Sequence, residues 1–162
     1  MIDYFRKFRR YAFRLELLQK YDVPEENESI GKFFETGSLP IEHDDWYNLI
    51  SNAKKKGCVM QRVHVIQLPL TDYLKFEIEA YKSNIEAGEE VFFMLRDDFN
   101  KIESTINFDF WLFDDSVVLK MNYDSNGRFL GFEKITENLP KFVKLKNNLI
   151  ENAKPLKEFL SH

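Results

Sequence analysis

The chain has 162 residues, the size of about one domain, and carries a net charge of −4. Apolar residues make up 44% and charged residues 31%, a balance that supplies a hydrophobic core and excludes a disordered chain. The negative charge argues against general binding to nucleic acids or anionic membranes. A single cysteine, Cys58, excludes an intrachain disulfide and fits a reducing compartment. No apolar run approaches the roughly 20 residues that span a bilayer, so we expect a soluble cytoplasmic protein.

Charge is unevenly distributed over the first 45 residues. Residues 1–20 carry six basic and two acidic side chains, whereas residues 21–45 carry eight acids against Lys32. Two packed helices of opposite charge would explain both segments without a ligand. Alternatively, the basic segment is a surface for nucleic acid or a membrane.

The first segment predicts a helix from Ile2 to Tyr21, because its apolar side chains recur at helical spacing. Basic side chains every fourth residue predict a charged ridge beside the apolar stripe. The stripe consists of Phe5, Phe8, Ala12 and Leu15, widened by Phe13 and Leu17, and the ridge of Arg6, Arg10 and Arg14.

Three further helices are predicted from caps and periodicity. Their starts are marked by a proline in the first turn or by an Asp or Thr before an apolar stripe, and their ends by a following glycine. These helices run from Pro24 to Gly37, from about Asp44 or Asp45 to Lys56, and from Thr71 or Asp72 to about Asn84.

Five strands are predicted, followed by a last helix. The strands are rich in β-branched and aromatic residues, and Asn126-Gly127 marks a hairpin between the last two. The strands are Val59 to Ile66, Val91 to Leu95, Phe108 to Phe113, Ser116 to Tyr123 and Arg128 to Ile135; the last helix begins near Asn138 or Pro140, and Pro155 breaks or kinks it. This order predicts a single α+β domain over residues 1–162, with N-terminal helices, a mainly antiparallel sheet of about five strands and a C-terminal helix.

No motif names a reaction. The sequence lacks a P-loop, a dinucleotide fingerprint and a nucleophile elbow. His43-Asp44-Asp45 fits a helix N-cap better than a metal site, and Cys58 has no base beside it in sequence. We therefore expect no metal and no cofactor.

Two groups of polar residues remain as candidates. Arg62 and His64 point to one face of a strand and suit an anion, or pair with carboxylates such as Asp109, Asp114 or Glu77. Asp109 and Asp114 suit general acid–base chemistry, whereas turn formation and an arginine pair explain them without chemistry.

Several long strings, ordered along nearly the whole chain, resemble the bacterial domain-of-unknown-function family 6879. They are Ala12-Phe13-Arg14-Leu15-Glu16, Arg62-Val63-His64-Val65, Pro69 to Glu77, Asn84 with Ala87-Gly88-Glu89, Asp109 to Asp115, and Tyr123-Asp124 with Gly127-Arg128-Phe129. The resemblance implies a small cytoplasmic protein without an assigned activity, often encoded near helix-turn-helix regulators. Its polar positions either converge on one cleft or form a buried hydrogen-bond network. These positions are Arg14, Arg62, His64, Tyr73, Glu77, Asn84, Asp109 and Asp114.

Two functions follow as hypotheses. The first is a non-enzymatic regulatory or accessory protein that acts through a protein partner, either a transcription regulator or a second copy. The alternative is a small-ligand-binding protein or enzyme, in which Arg62 and His64 hold an anionic group near Asp109 or Asp114. Nucleic-acid binding through the first segment is a weaker third hypothesis.

Overall fold

In a computed structural model of the chain, which describes residues 1–103 and 105–161, a seven-stranded mixed sheet forms the centre of the fold. The strands are β1 Tyr11–Glu16, β2 Val59–Ile66, β3 Glu90–Leu95, β4 Phe110–Phe113, β5 Val117–Tyr123, β6 Phe129–Ile135 and β7 Lys154–Pro155. The helices are α1 Ile2–Lys7, α2 Asn27–Thr36, α3 Asp45–Lys55, α4 Asp72–Ala87, α5 Arg96–Ile102, α6 Leu139–Asn152 and α7 Leu156–Leu160. A single 3₁₀ turn, Pro24–Glu26, precedes α2.

The strand order is β6-β5-β4-β1-β2-β3-β7. β1, β2 and β3 are parallel to one another, and their crossovers carry the helices α2 to α4. The other four pairings are antiparallel. The α+β expectation is therefore correct, but the sheet is mixed rather than mainly antiparallel and has seven strands rather than five.

The predicted helix from Ile2 to Tyr21 is wrong beyond Lys7. Residues Tyr11–Glu16 form β1, in the middle of the sheet, and every one of them is buried. A strand covered on both faces lacks the polar–apolar alternation that identifies strands, and its apolar residues then also satisfy a helical spacing. The ridge of Arg6, Arg10 and Arg14 does not form, because Arg14 is buried in β1 and Arg6 lies on α1.

Each face of the sheet packs against its own set of helices. On one face Phe13, Leu15 and Val63 pack with residues of α5 and α6. On the other face α3 covers β1, β2, β4 and β5, and α4 with α7 covers β2 and β3. The helix α2 packs on α4 through Phe33 and Phe76 rather than on the sheet. This second face carries the polar residues described below.

The remaining helix and strand predictions are close to the structure. α2, α3, α4, β2, β3, β5 and β6 begin and end within a few residues of their predicted limits, and Asp44 caps α3. β4 begins at Phe110, two residues later than predicted. α5, β7 and α7 were not predicted, since each is short and has few periodic residues. In the described part of the chain no helix is long and apolar enough to cross a membrane.

The burial of β1 can be tested with two phenylalanine truncations. Phe13→Ala should lower the free energy of unfolding by about 3–5 kcal/mol, because Phe13 is fully buried. Phe34→Ala should change it by less than about 0.5 kcal/mol, because Phe34 is 51% exposed on α2. Urea denaturation measures both, and equal losses would contradict the placement of β1.

Candidate functional site

A cluster of charged side chains lies on the face of the sheet beneath α3 and α4. β1 and β2 run parallel in a register that places Arg14 beside Arg62 and Glu16 beside His64. Side chains two residues apart on a strand share a face, so all four point toward these helices. All four are at most 8% exposed. Four ionisable groups in the centre of a sheet need partners, since burial of unpaired charge is unfavourable.

Arg62 links three strands through two carboxylates. Its Nη1 donates to Glu16 on β1 and its Nε donates to Glu89 just before β3, each over 2.6 Å. Its Nη2 makes no hydrogen bond to the described part of the chain and is not fully occluded. One edge of the guanidinium therefore keeps free donors.

The hydroxyl of Tyr81, on α4, is surrounded by three possible hydrogen-bond partners. It lies 2.7 Å from Glu16 Oε1, 3.0 Å from His64 Nδ1, and in a short contact with Glu77 Oε1. The opposite nitrogen of His64, Nε2, lies 2.7 Å from the carbonyl oxygen of Leu18. Because a carbonyl only accepts, Nε2 carries a proton.

Burial and charge separate the protonation states of these groups. Burial, followed by the negative charge of Glu16, raises the pKa of Glu77 well above its usual range. Burial is the strongest single influence on Glu16 and opposes its ionisation, but the neighbouring cations, Arg62 foremost, and the hydrogen bond from Arg62 together outweigh it and lower the pKa of Glu16 to about 2. Burial lowers the pKa of His64. These shifts favour the protonated form of Glu77 and the neutral form of His64. The hydroxyl of Tyr81 has one proton, so it donates to one of its three neighbours at a time, and a protonated Glu77 donates to Tyr81 in turn.

The donor set of Glu16, His64 and Glu77 resembles a metal site, since one atom from each lies within 4.8 Å of the others. His64 Nδ1 is 3.9 Å from an oxygen of either carboxylate. The Tyr81 hydroxyl contacts all three of these atoms, however, and occupies the space between them. A cation would have to displace that hydroxyl, so the three residues are arranged around a hydrogen-bond hub.

A second half of the cluster is built around Asp109, which precedes β4. Arg14 Nη2 donates to Asp109 over 3.1 Å, Tyr21 donates over 2.5 Å, and the backbone N–H of Leu17 donates over 2.9 Å. Arg14 Nη2 also contacts the hydroxyl of Tyr123 at 2.7 Å. This half holds the end of β1 to the start of β4 and lies within the core.

A cleft of about 390 Å³ opens above the first half of the cluster. Arg62, Glu77 and Tyr81 contribute to its lining from the sheet and α4. Further lining comes from other residues of α4, from α2 and the turn before it, from the loop that leads to α3 and from the start of α3. The segments outside α4 supply two aromatic and four acidic residues. These are Trp46 and Tyr47, with Glu25, Glu26, Glu42 and Asp44.

Most of the predicted polar residues lie in this region, but not all. Arg14, Arg62, His64, Glu77 and Asp109 share the cluster, and Asn84 lines the cleft. The remaining two predicted residues lie outside the cluster. The hydroxyl of Tyr73 donates to Glu26 at the cleft edge, and Asp114 accepts three backbone N–H groups, from Arg9, Arg10 and Tyr11, in the turn after β4.

Sequence reasoning missed Glu16, Tyr81 and Glu89 as members of the cluster. Glu16 sits two residues after Arg14, a spacing that places both on one face of a strand but not of a helix. The predicted helix therefore placed Glu16 on a different face from Arg14, and Glu16 was not included among the candidates. Tyr81 follows Glu77 by four residues on α4, a spacing that places both on one helix face and was available in the sequence.

Comparison with known proteins identifies the family. A family model for a domain of unknown function, DUF6879, matches residues 1–161, and the chain belongs to this family. The resemblance noted from the sequence strings is confirmed. No curated protein and no solved structure matches the chain. The description of the family assigns no activity, so the geometry of the site is the basis for function.

The protonated state of Glu77 predicts a specific pH dependence of stability. In the unfolded chain a glutamate ionises above a pH of about 4.3, whereas folded Glu77 keeps its proton to higher pH. The folded state therefore loses stability as pH rises through this window, by up to about 1.4 kcal/mol per pH unit. Glu77→Gln does not titrate, so its stability relative to wild type should rise from pH 5 to pH 8.

Urea denaturation at four pH values measures this difference. The control is Glu86→Gln, which changes an exposed carboxylate on the same helix and should give a nearly constant difference. A constant difference for Glu77→Gln as well would show that Glu77 is ionised in the folded protein.

The buried ion pair of Arg14 and Asp109 predicts that removing one partner lowers the free energy of unfolding more than removing both charges. Arg14→Met leaves the buried Asp109 without its cation and should destabilise the protein by about 3–5 kcal/mol. Arg14→Met combined with Asp109→Asn should recover much of that loss, because no unpaired charge remains. Arg128→Met, which breaks an exposed pair with Asp22, should leave the denaturation midpoint close to wild type. A double variant no better than Arg14→Met would contradict the ion-pair account.

Proposed function

We propose that this protein binds a small ligand in the cleft above the charged cluster, with Arg62 as a contact at its floor. The observation that carries the proposal is the unpaired guanidinium edge of Arg62 in a lined cavity of about 390 Å³. Ligand sites are concave, of this size, and combine apolar walls with a few oriented polar groups. Aromatic walls and an oriented arginine are both present here.

The rigidity of Arg62 also supports the proposal. Its side chain is held by Glu16 and Glu89 and lies 5.3 Å from the ring centre of Tyr81 and 5.9 Å from that of Trp111. A donor fixed in this way loses little entropy when it binds an acceptor, which favours affinity.

Catalysis in the cleft has less support than binding. His64 and Asp109, which were considered as an anion-binding group and a base, are hydrogen-bonded within the core and do not line the cleft. Glu77 does line the cleft, but its Oε1 is engaged by Tyr81, and burial raises its pKa and so disfavours the carboxylate that a general base requires. We therefore favour a binding protein over an enzyme.

We place this binding activity in an accessory or regulatory role in the cytoplasm, with a transcription regulator or a second copy of the chain as the protein partner. The support is the family resemblance and the single cysteine, Cys58. In this proposal ligand occupancy of the cleft is what the partner senses.

Blocking the cleft tests ligand binding. Ser29, on α2, lines the cleft and its side chain makes no hydrogen bond to the described part of the chain, so Ser29→Trp should fill the space without breaking a contact. Ser125→Trp adds the same ring in the exposed turn between β5 and β6. Ligand-observed NMR of a chemically diverse metabolite mixture should show ligands that bind wild type and Ser125→Trp but not Ser29→Trp.

The proposal fails if no compound binds wild type, or if Ser29→Trp binds every compound as wild type does. Circular dichroism and the thermal midpoint of both variants serve as the check that each is folded.

A further inference from the structure

The charges at the mouth of the cleft extend the proposed function to the chemistry of the ligand. Four carboxylates line the mouth, and Arg62 is the one basic residue among the described residues that line the cleft. None of the four forms an ion pair within the described part of the chain. The four are Glu25, Glu26, Glu42 and Asp44. Unpaired charges of one sign at a concave surface concentrate a field there and attract the opposite charge.

The mouth is held in place by bonds to the helices below it. The backbone N–H of Glu42 donates to Ser83 on α4 over 3.1 Å, and Asp44 caps α3 through the N–H of Tyr47. Glu26 accepts from the hydroxyl of Tyr73 over 2.9 Å. The acidic segment that follows the basic N-terminus is thus folded onto α4, and four of its eight carboxylates line the cleft.

Arg62 does not offset this negative field. Its charge is already balanced by Glu16 and Glu89, which lie 2.6 Å away on either side. An anion that approaches Arg62 must also pass the carboxylates at the mouth. The free Nη2 donors therefore suit a hydrogen-bond acceptor on a ligand whose other end is positive.

Two aromatic rings complete the requirements for a cation. Trp46 and Tyr47 line the cleft, and His43 stacks on one face of Tyr47 with ring centres 4.2 Å apart. Ammonium and guanidinium groups are attracted to the faces of such rings, Trp most strongly. Carboxylates and indole together favour an organic cation over a hydrated inorganic ion.

We infer that the cleft selects a ligand with an ammonium or guanidinium group at its mouth and a hydrogen-bond acceptor that meets Arg62 at its floor. This inference rests on the proposed function. The cation belongs either to a free small molecule or to a lysine or arginine side chain of a peptide, and the chemistry is the same for both sources.

Matched probes separate charge from shape. Nα-acetyl-L-arginine carries a guanidinium and a carboxylate, Nα-acetyl-L-citrulline replaces the guanidinium by a neutral urea of the same shape, and Nα-acetyl-L-glutamate is anionic at both ends. Nα-acetyl-L-lysine and its Nε-acetylated form repeat the comparison for an ammonium group. A blocked Gly-Arg-Gly peptide represents the peptide source.

Titration calorimetry and ligand-observed NMR should give an affinity at least tenfold higher for a cationic probe than for its neutral counterpart. The preference should weaken as salt is raised, because the mouth is open to solvent. If Nα-acetyl-L-arginine binds more tightly than the peptide, the cation belongs to a free small molecule. If the peptide binds more tightly, the cation belongs to a side chain of a protein partner.

Charge removal at the mouth provides the matched variants. Glu25→Gln with Glu42→Gln should lower the affinity for the cationic probe several-fold. Glu28→Gln with Glu35→Gln removes the same charge from positions on α2 that do not line the cleft and should leave the affinity near wild type.

The inference is overturned if neutral and cationic probes bind equally, or if both pairs of variants weaken binding alike. If neutral or anionic compounds bind wild type but not Ser29→Trp, the ligand class is wrong while ligand binding stands. If no compound of any charge binds, the proposed function and this inference both fall.

Discussion

The salt bridge between Glu16 and Arg62 is the interaction on which the rest of the site depends. It joins two central parallel strands where both side chains are buried, and there each ion loses several kcal/mol of hydration, to order of magnitude. That loss is offset because Glu89 accepts a second hydrogen bond from Arg62, and because the hydroxyl of Tyr81 is hydrogen-bonded to the carboxylate of Glu16. Tyr81 in turn fixes α4 over the sheet, and α4 forms one wall of the cleft.

The excess of carboxylates over cations has two consequences. At the floor of the cleft, burial and the charge of Glu16 both raise the pKa of Glu77 and so disfavour a second carboxylate in the hub around Tyr81. At the mouth, the four acids form no ion pair within the described part of the chain, and burial raises the pKa of one of them, Glu26. The same composition therefore makes a rigid, hydrogen-bonded floor and an entrance lined by carboxylates.

The sequence predicts those parts of the fold that are determined by residues close together in the chain. Asp44 as a cap, the strand from Val59 to Ile66 and the turn at Asn126-Gly127 follow from capping, β-branched composition and left-handed turn geometry. β1 was not predictable by the same means, because both its faces are buried and its charged residues Arg14 and Glu16 find partners far away in sequence. Arg62 and His64 were recognised as sharing a face, but the partners that hold them, Glu89 and Tyr81, depend on how β3 and α4 pack.

The central claim is that the free edge of Arg62 forms the floor of a ligand site. NMR of protein labelled with ¹⁵N-arginine, which observes the guanidinium groups one by one, tests it directly during titration with Nα-acetyl-L-arginine. The account predicts that the Arg62 signals shift and saturate while those of Arg14, buried in the second half of the cluster, stay fixed. Unchanged Arg62 signals at saturating ligand, or equal shifts in Ser29→Trp, would contradict it.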